Sequence, residues 1–345
     1  MKIKLVQIDG ELPNIALMKL AHYFRVEKQA EIHFTKSVRR DLFEPAYDFV
    51  FASAIFTPSK KKIELLKIYY PDAIIGGTGV SIKRKETVEN YLGIDPDYKY
   101  LDYSLYPDFQ YSIGRTQLGC SRKCGFCSVW KTEGENRPLS NISEIWRGAG
   151  NPKRLVLIDN DFQKRLGWQT ICKEIIDGDF EVAFIQGINI RDLTDEHGEF
   201  FKHIKFRDKN FSRKRFYCAW DNESDQTEIE RGLKILENIG ISRSTVTPYF
   251  ICNYWTKGLT ADVWNRFLFM AQRGLRPYAM IYEKWKLPPN DDLKVFQNWV
   301  NSYNAYMKPT KEGFLEYKDQ YRLKHKRLET DSKEIRQDDD DLFAY

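Results

Sequence analysis

No apolar run in this chain of 345 residues approaches the roughly 18 that a membrane-spanning helix needs, so no membrane partner is expected. The opening stretch Met1-Lys2-Ile3-Lys4-Leu5-Val6 lacks the plan of a signal peptide and reads as a strand. Cysteine is scarce: there are 6, three of them close together, which is no basis for a disulfide framework in a chain of this length. These absences predict a protein of the reducing cytoplasm. A net charge of +5 does not by itself imply nucleic acid. No internal repeat shows beyond an alternation of strand and helix signals.

What the chain does have is ample apolar content, 42% with 14% aromatic, in a length that suits two domains better than one core. Strands are expected at 3–8, 31–34, 47–52 and 73–75, the last a buried strand running into Gly76-Gly77-Thr78-Gly79. Pro13 suits the first turn of a helix reaching to about Phe24, and a second helix is expected over 62–69. This β-α-β order predicts a parallel sheet with helices on both faces, a Rossmann-like (flavodoxin-like) domain over residues 1–92. Residues 93–110, with Gly93, Pro96 and Pro107, read as an irregular linker.

From 111 to 285 there are six strand signals, at 111–118, 154–159, 182–190, 215–220, 245–252 and 277–282, with helical segments between them. Asn141-x-x-Glu144 reads as a capping box. Ile229, Leu233, Leu236 and Ile239 share a helix face that Gly240 closes, and Thr260 can cap a helix ending before Gly274. Six β-α units predict a partial (β/α)6 barrel, with chemistry at the C-terminal ends of its strands. A helical extension is expected over 286–330. A charged tail over 331–345, including the acidic run Asp338 to Asp341, is expected to be disordered.

Cys120, Cys124 and Cys127 stand in Gly119-Cys120-Ser121-Arg122-Lys123-Cys124-Gly125-Phe126-Cys127. Thiolates are soft, strong ligands for iron–sulfur clusters. Three of them are one fewer than the irons of a four-iron cubane, which leaves one iron open to a small ligand. Structural zinc takes four protein ligands, commonly from paired Cys-x2-Cys units, and the next cysteine is as far away as Cys172. A zinc site completed from afar, or buried structural thiols, is the alternative. Cys172, in a helix with Ile171 and Ile175, and Cys218 and Cys252, in strands, read as buried apolar cysteines.

The Cys-x3-Cys-x2-Cys spacing, with the aromatic Phe126 before the last cysteine, resembles the signature of the radical S-adenosylmethionine superfamily. The resemblance implies a [4Fe-4S] cluster on Cys120, Cys124 and Cys127, with S-adenosylmethionine chelating the fourth iron. A one-electron reductant such as flavodoxin or ferredoxin would drive cleavage to a 5′-deoxyadenosyl radical, which abstracts hydrogen from a substrate. The family usually has a glycine-rich segment ending in Glu after the second barrel strand. Here the strand ends Leu157-Ile158-Asp159-Asn160-Asp161, without glycines. Asp159 or Asn160 could accept from the methionyl ammonium, or the segment is a strand-end turn. Gln186-Gly187-Ile188-Asn189-Ile190-Arg191 resembles a segment of cobalamin-type members. It implies Gln186 and Arg191 as contacts to S-adenosylmethionine, Arg191 forking onto the methionyl carboxylate. Arg191 could equally be a surface residue before a cap at Thr194. Phe126 belongs to the same expected set, as does Asp221, a carboxylate for ribose hydroxyls. Thr247 and Asn253 are further candidates on the fifth strand. No hydrogen donor or general acid is assigned.

The N-terminal alternation resembles the cobalamin-binding domain often fused before such barrels. Gly76 and Gly77 would let backbone approach a flat ligand, and Ser53 and Thr57 fall where that family has polar contacts. The cobalt-ligand pattern Asp-x-His-x-x-Gly is broken: the chain has Asp9-Gly10-Glu11, with Glu11 in place of the His. Cobalamin-dependent methyl transfer is thus a second expected chemistry beside hydrogen abstraction. Between the third and fourth strands, Lys202, Lys205, Arg207, Lys209, Arg213, Lys214 and Arg215 interleave with Phe201, Phe206, Phe211 and Phe216. That stretch could cradle a nucleotide or nucleic-acid substrate, or be a solvated loop with core anchors. The alternative of another class is a non-catalytic nucleic-acid- or protein-binding module with a structural metal.

Overall fold

In the computed structural model, which describes residues 1–82, 88–95 and 98–324, the chain opens with β1 (Lys2–Gln7), a strand buried on both faces. It lies inside a parallel sheet with β2 (Glu31–Thr35), β3 (Phe49–Ser53) and β4 (Ile74–Gly76), in the order β2-β1-β3-β4. Alternation explains the layers. Ile3 and Leu5 pack with Leu17, Met18 and Ala21 of α1 (Ile15–His22). Val6 packs with Ala52 and with Leu66 of α2 (Lys60–Tyr69). Helices therefore cover both faces, as expected. Pro13 does not enter the first turn: Asn14 caps α1, its Oδ1 accepting from Leu17 N at 3.1 Å. β4 is half-buried, not buried as expected, because it is an edge strand of the described sheet. One buried position of β1 is charged. Lys4, 4% exposed, donates to the Tyr70 hydroxyl at 2.6 Å and ion-pairs with Glu44.

After α3 (Val88–Leu92) the described residues up to 110 are irregular, as expected, apart from one short turn at Tyr103–Leu105, and they are packed. Leu105 and Tyr106 are buried, and Tyr103 and Phe109 pack on the same core as α1. The Tyr106 hydroxyl donates to Gln7 Oε1 at 2.8 Å and accepts from Asn14 N at 3.0 Å. Aromatic side chains thus make the segment a packed connector, though Pro96 lies outside the described residues.

The expected strand 111–118 is broken into β5 (Ser112–Gly114) and β6 (Gln117–Leu118). At the break, the N–H groups of Thr116 and Gln117 donate to Asp159 Oδ1, at 2.6 and 2.9 Å, instead of to a strand. α4 (Val129–Thr132), β7 (Arg137–Pro138) and α5 (Ile142–Ile145) follow, and Asn141 and Glu144 form the expected capping box. Then come β8 (Arg154–Leu157), α6 (Trp168–Asp177), β9 (Glu181–Phe184), α7 (Asp195–Phe201) and β10 (Lys205–Phe206). The parallel order is β10-β9-β8-β5. β9 stops well short of the expected 190, because Gly187 turns the chain at φ +84 with its N–H on Phe184 O.

These elements belong to one compact unit, residues 1–189 with 193–216; a second comprises 190–192 with 217 onward. The second begins with β11 (Phe216–Ala219) and α8 (Gln226–Asn238). It continues with β12 (Val246–Cys252), α9 (Ala261–Gln272), β13 (Tyr278–Ile281), α10 (Asp292–Asn301) and α11 (Tyr303–Met307). Its strand order is β11-β12-β13, with β12 and β13 parallel. Ile229, Leu233 and Leu236 form the buried face of α8, and Gly240, at φ +82, follows its end. Trp264 and Phe267 of α9 meet Phe296 of α10 at ring separations of 5.0 and 5.6 Å. Helix continues over 311–324, within the expected extension; the rest of that extension and the tail 331–345 lie outside the described residues. The chain is mixed α/β with parallel sheets. No described helix is long and apolar enough to cross a membrane.

Candidate metal centre

The three cysteines lie on one excursion, residues 119–136, whose ends are pinned together. β6 and β7 pair antiparallel, Gln117 with Pro138 and Leu118 with Arg137. Gly119 closes the hairpin at φ +77, where a Cβ would stand 2.0 Å from the Glu135 carbonyl oxygen. Cys120 N donates to Gly134 O at 3.2 Å. Glu133 gathers three partners: Arg115 Nη1 at 2.6 Å, Gly119 N at 2.9 Å and Asn160 Nδ2 at 3.1 Å.

The end of β8 holds the rest. Asp159 Oδ1 fixes the backbone at the β5–β6 break. Asp161, 1% exposed, accepts from Ser121 N at 2.7 Å and Ser121 Oγ at 2.6 Å on Oδ2, and from Gln163 Nε2 at 2.8 Å on Oδ1. Its carbonyl accepts from Asn136 Nδ2 at 2.8 Å. Asn160 and Asp161 grip the cysteine excursion, and Asp159 grips the strand break that leads into it.

Cys120, Cys124 and Cys127 are half-buried and outside any disulfide. Arg122 N donates to Cys120 Sγ at 3.4 Å, Cys127 N to Cys124 O at 3.1 Å, and Trp130 Nε1 to Cys124 O at 3.0 Å. Burial first, and then the charge of Asp161, push the Cys120 thiol up to about 12. Among the described residues no three His, Cys, Asp or Glu side chains converge on one metal position. Cys172, Cys218 and Cys252 are buried, as expected.

Buried polar atoms without a hydrogen-bond partner collect beside this excursion: both amide atoms of Gln117, Asp159 Oδ2, Asn136 Oδ1 and Gln163 Oε1. Each such group is destabilising by about 1–3 kcal/mol, so their concentration marks a place for ordered water or a polar ligand. Burial holds the Asp159 carboxyl up at about 6 against the pull of the Gln117 and Thr116 N–H groups. A cleft of about 1340 Å³ in the same unit runs from Gly77 and Thr78 past His22 and Tyr100 to Leu118 and Thr132, at the flank of the excursion.

Phe126 and Asn160 are half-buried here and Gln186 is exposed after β9, all in the unit that carries the cysteines. Arg191 and Asp221 belong to the second unit. Arg191 ion-pairs with Asp225. Asp221 Oδ1 accepts from Ile251 N at 3.2 Å, and burial raises its carboxyl to about 6 although Arg191 pulls it down. Thr247 is buried on β12, and Asn253 Oδ1 accepts from Gly258 N at 3.1 Å. Glu133, Gln117 and Gln163 were not foreseen. Their only sequence signal is polarity in strands and turns next to the triplet.

Of the residues expected to meet cobalamin, Ser53, Gly76 and Gly77 contact the chain itself. A Cβ on Gly77 would stand 2.3 Å from Ala54 O, and one on Gly79 2.7 Å from Phe56 O. Ser53 Oγ accepts from Asn14 Nδ2 at 2.8 Å, Thr57 is exposed, and Asp9 binds Ile55 N, Phe56 N and Ser59 Oγ. Gly77 and Gly79 serve close approach of backbone to backbone, and a Cβ on Gly76 would stand 2.8 Å from Val88 Cγ2. Glu11 is exposed and pairs with Lys209 at 3.1 Å. The basic stretch is likewise engaged: Lys202 with Glu199, Lys205 with Asp179, Arg207 with Glu181 and Arg213 with Asp208. Its four phenylalanines are buried core anchors.

No protein-family model matches the chain, and no curated protein is similar to it at a significant level.

Proposed function

We propose that the chain is a radical S-adenosylmethionine enzyme of the reducing cytoplasm, acting on a substrate by hydrogen abstraction. The observation that carries this reading is the pinned three-thiol excursion at the C-terminal end of parallel strands, beside unpartnered buried polar groups. The parallel strand order β10-β9-β8-β5, sequential in the chain, supports a partial (β/α)6 barrel. The order β2-β1-β3-β4 supports a flavodoxin-like first domain.

In this reading Cys120, Cys124 and Cys127 hold a [4Fe-4S] cluster. When bound and reduced by flavodoxin, ferredoxin or a similar one-electron donor, the cluster supplies the electron that cleaves S-adenosylmethionine to a 5′-deoxyadenosyl radical. The chain's own part is positional. Gly119, Glu133 and Asp161 fix the ends of the excursion. Asp159 Oδ2 offers an acceptor to an ammonium, and the Gln117 amide offers both a donor and an acceptor. Phe126 and Asn160 are the further contacts to S-adenosylmethionine in this reading. No step is assigned to cobalamin.

Anaerobic reconstitution tests the proposal. Iron and sulfide near four per chain, a cubane EPR signal on reduction and release of 5′-deoxyadenosine are expected. One zinc with neither iron nor sulfide would favour a structural metal in a binding module and reject radical chemistry.

A further inference from the structure

Asp161 is buried beside the proposed cluster ligands, yet every donor it accepts from is uncharged: an amide N–H and a hydroxyl of Ser121, and the Gln163 side chain. Three neutral donors share its two oxygens, and no cation pairs with it among the described residues. None of the three cancels its charge. The amide it takes is the one directly after Cys120. Of the two amides following that cysteine, Arg122 N serves the sulfur and Ser121 N serves Asp161. An amide on a ligand sulfur makes a cluster easier to reduce, and a fixed anion in a poorly solvated place makes it harder.

Resting on the radical-enzyme reading, we infer that Asp161 positions the cysteine loop and lowers the reduction potential of the cluster it holds, by placing an unneutralised carboxylate behind Cys120. The step concerned is addition of one electron from a low-potential donor, taking the cluster from its 2+ to its 1+ state with no bond formed or broken. A lower potential makes the reduced cluster the stronger donor toward a sulfonium.

The test is an EPR-monitored redox titration of reconstituted full-length protein without S-adenosylmethionine, comparing wild type, Asp161→Asn, Asp161→Ser and Asp161→Glu. Asp161→Asn keeps an acceptor oxygen for Ser121 and removes the charge. Its midpoint is expected to move positive, beyond the scatter of replicate titrations, at wild-type iron and sulfide content. Asp161→Ser should move the same way, and Asp161→Glu should stay nearer to wild type. Either uncharged variant with a full cluster at the wild-type potential overturns the inference. Loss of the cluster from both uncharged variants overturns it too, since Asp161 would then serve assembly alone. A wild-type chain that takes up no iron rejects the radical-enzyme reading itself, a result distinct from either.

Discussion

Substituting Gly119 by Ala tests whether the hairpin closure at the cysteine excursion depends on the missing side chain. At φ +77 a residue with a Cβ is disfavoured by about 1–2 kcal/mol. The added carbon would also stand 2.0 Å from Glu135 O and 2.6 Å from Gly134 O, both backbone atoms that cannot rotate away. Relief requires β6 and β7 to part, which breaks the Cys120 N to Gly134 O bond and the Gly119 N to Glu133 bond. Those bonds contribute about 1 kcal/mol, and about 1.5–3 kcal/mol for the one to a carboxylate. The total is about 4–6 kcal/mol, and in a unit of this size each kcal/mol lowers the melting temperature by about 2–4 °C. Gly148→Ala is the control: its φ is +87, but nothing stands within 4 Å of the added carbon, so only the conformational part is lost. Calorimetric melting with iron analysis after reconstitution reads both effects. Gly119→Ala should melt well below Gly148→Ala and load less iron. Equal melting temperatures and equal iron in the two variants would refute the closure argument.

Asp159→Asn should flatten the acid side of the stability profile. A buried carboxyl raised from 3.8 to about 6 binds its proton more tightly when folded, so wild-type stability falls as pH rises from about 4 to about 6. That is worth about 3 kcal/mol, and urea melts across this range should show the slope in wild type and lose much of it in the variant, which keeps an acceptor for Thr116 and Gln117. Lys4→Ala leaves the nearly buried Glu44 with the Tyr70 hydroxyl and Arg40 and should destabilise by about 1.5–3 kcal/mol in denaturant titrations, whereas replacing Lys4 and Glu44 together by leucine should recover part of the loss. Alanine at Cys120, Cys124 or Cys127 should abolish iron loading, while alanine at Cys172, Cys218 or Cys252 should leave the iron content at the wild-type value, as metal analysis of the reconstituted variants will show.

Much of the architecture was legible because it is written in short-range pattern. Period-two alternation of Ile3, Leu5 and Val6 placed β1 with helices on both faces, and Asn141 with Glu144 announced a capped helix three residues long in its signal. What failed depended on partners remote in sequence. The run 111–118 has the composition of one strand, but Asp159 intercepts two of its N–H groups and splits it. The linker 93–110 looks irregular because its aromatic residues follow no period, yet the Tyr106 hydroxyl reaches Gln7 and Asn14 in the first sheet. For the basic stretch after α7 the pattern left two readings open, because Asp179 and Glu181, which pair with Lys205 and Arg207, come from elsewhere in the chain.

The same division runs through the candidate site. A cysteine triplet is visible because ligands to one small centre can sit on one loop. The groups that hold such a loop need not be near it in sequence. Asp161 lies 40 residues beyond Ser121, and nothing local distinguishes it from Asp159, which was chosen as the ligand contact. Depth and hydrogen bonding separate their roles. Asp159 keeps one oxygen unpartnered and its carboxyl raised, the state of a group that waits for a donor. Asp161 has one oxygen committed to the loop and the other to Gln163, the state of a group that holds geometry. Gly76 to Gly79 invert this lesson. Their pattern correctly announced a close approach of backbone, but glycine says only that a side chain would clash, and here the approaching body is the chain's own turn at Ala54 to Phe56. Glycine-rich strand ends are therefore evidence for a ligand only once the chain's own backbone has been shown not to fill the space.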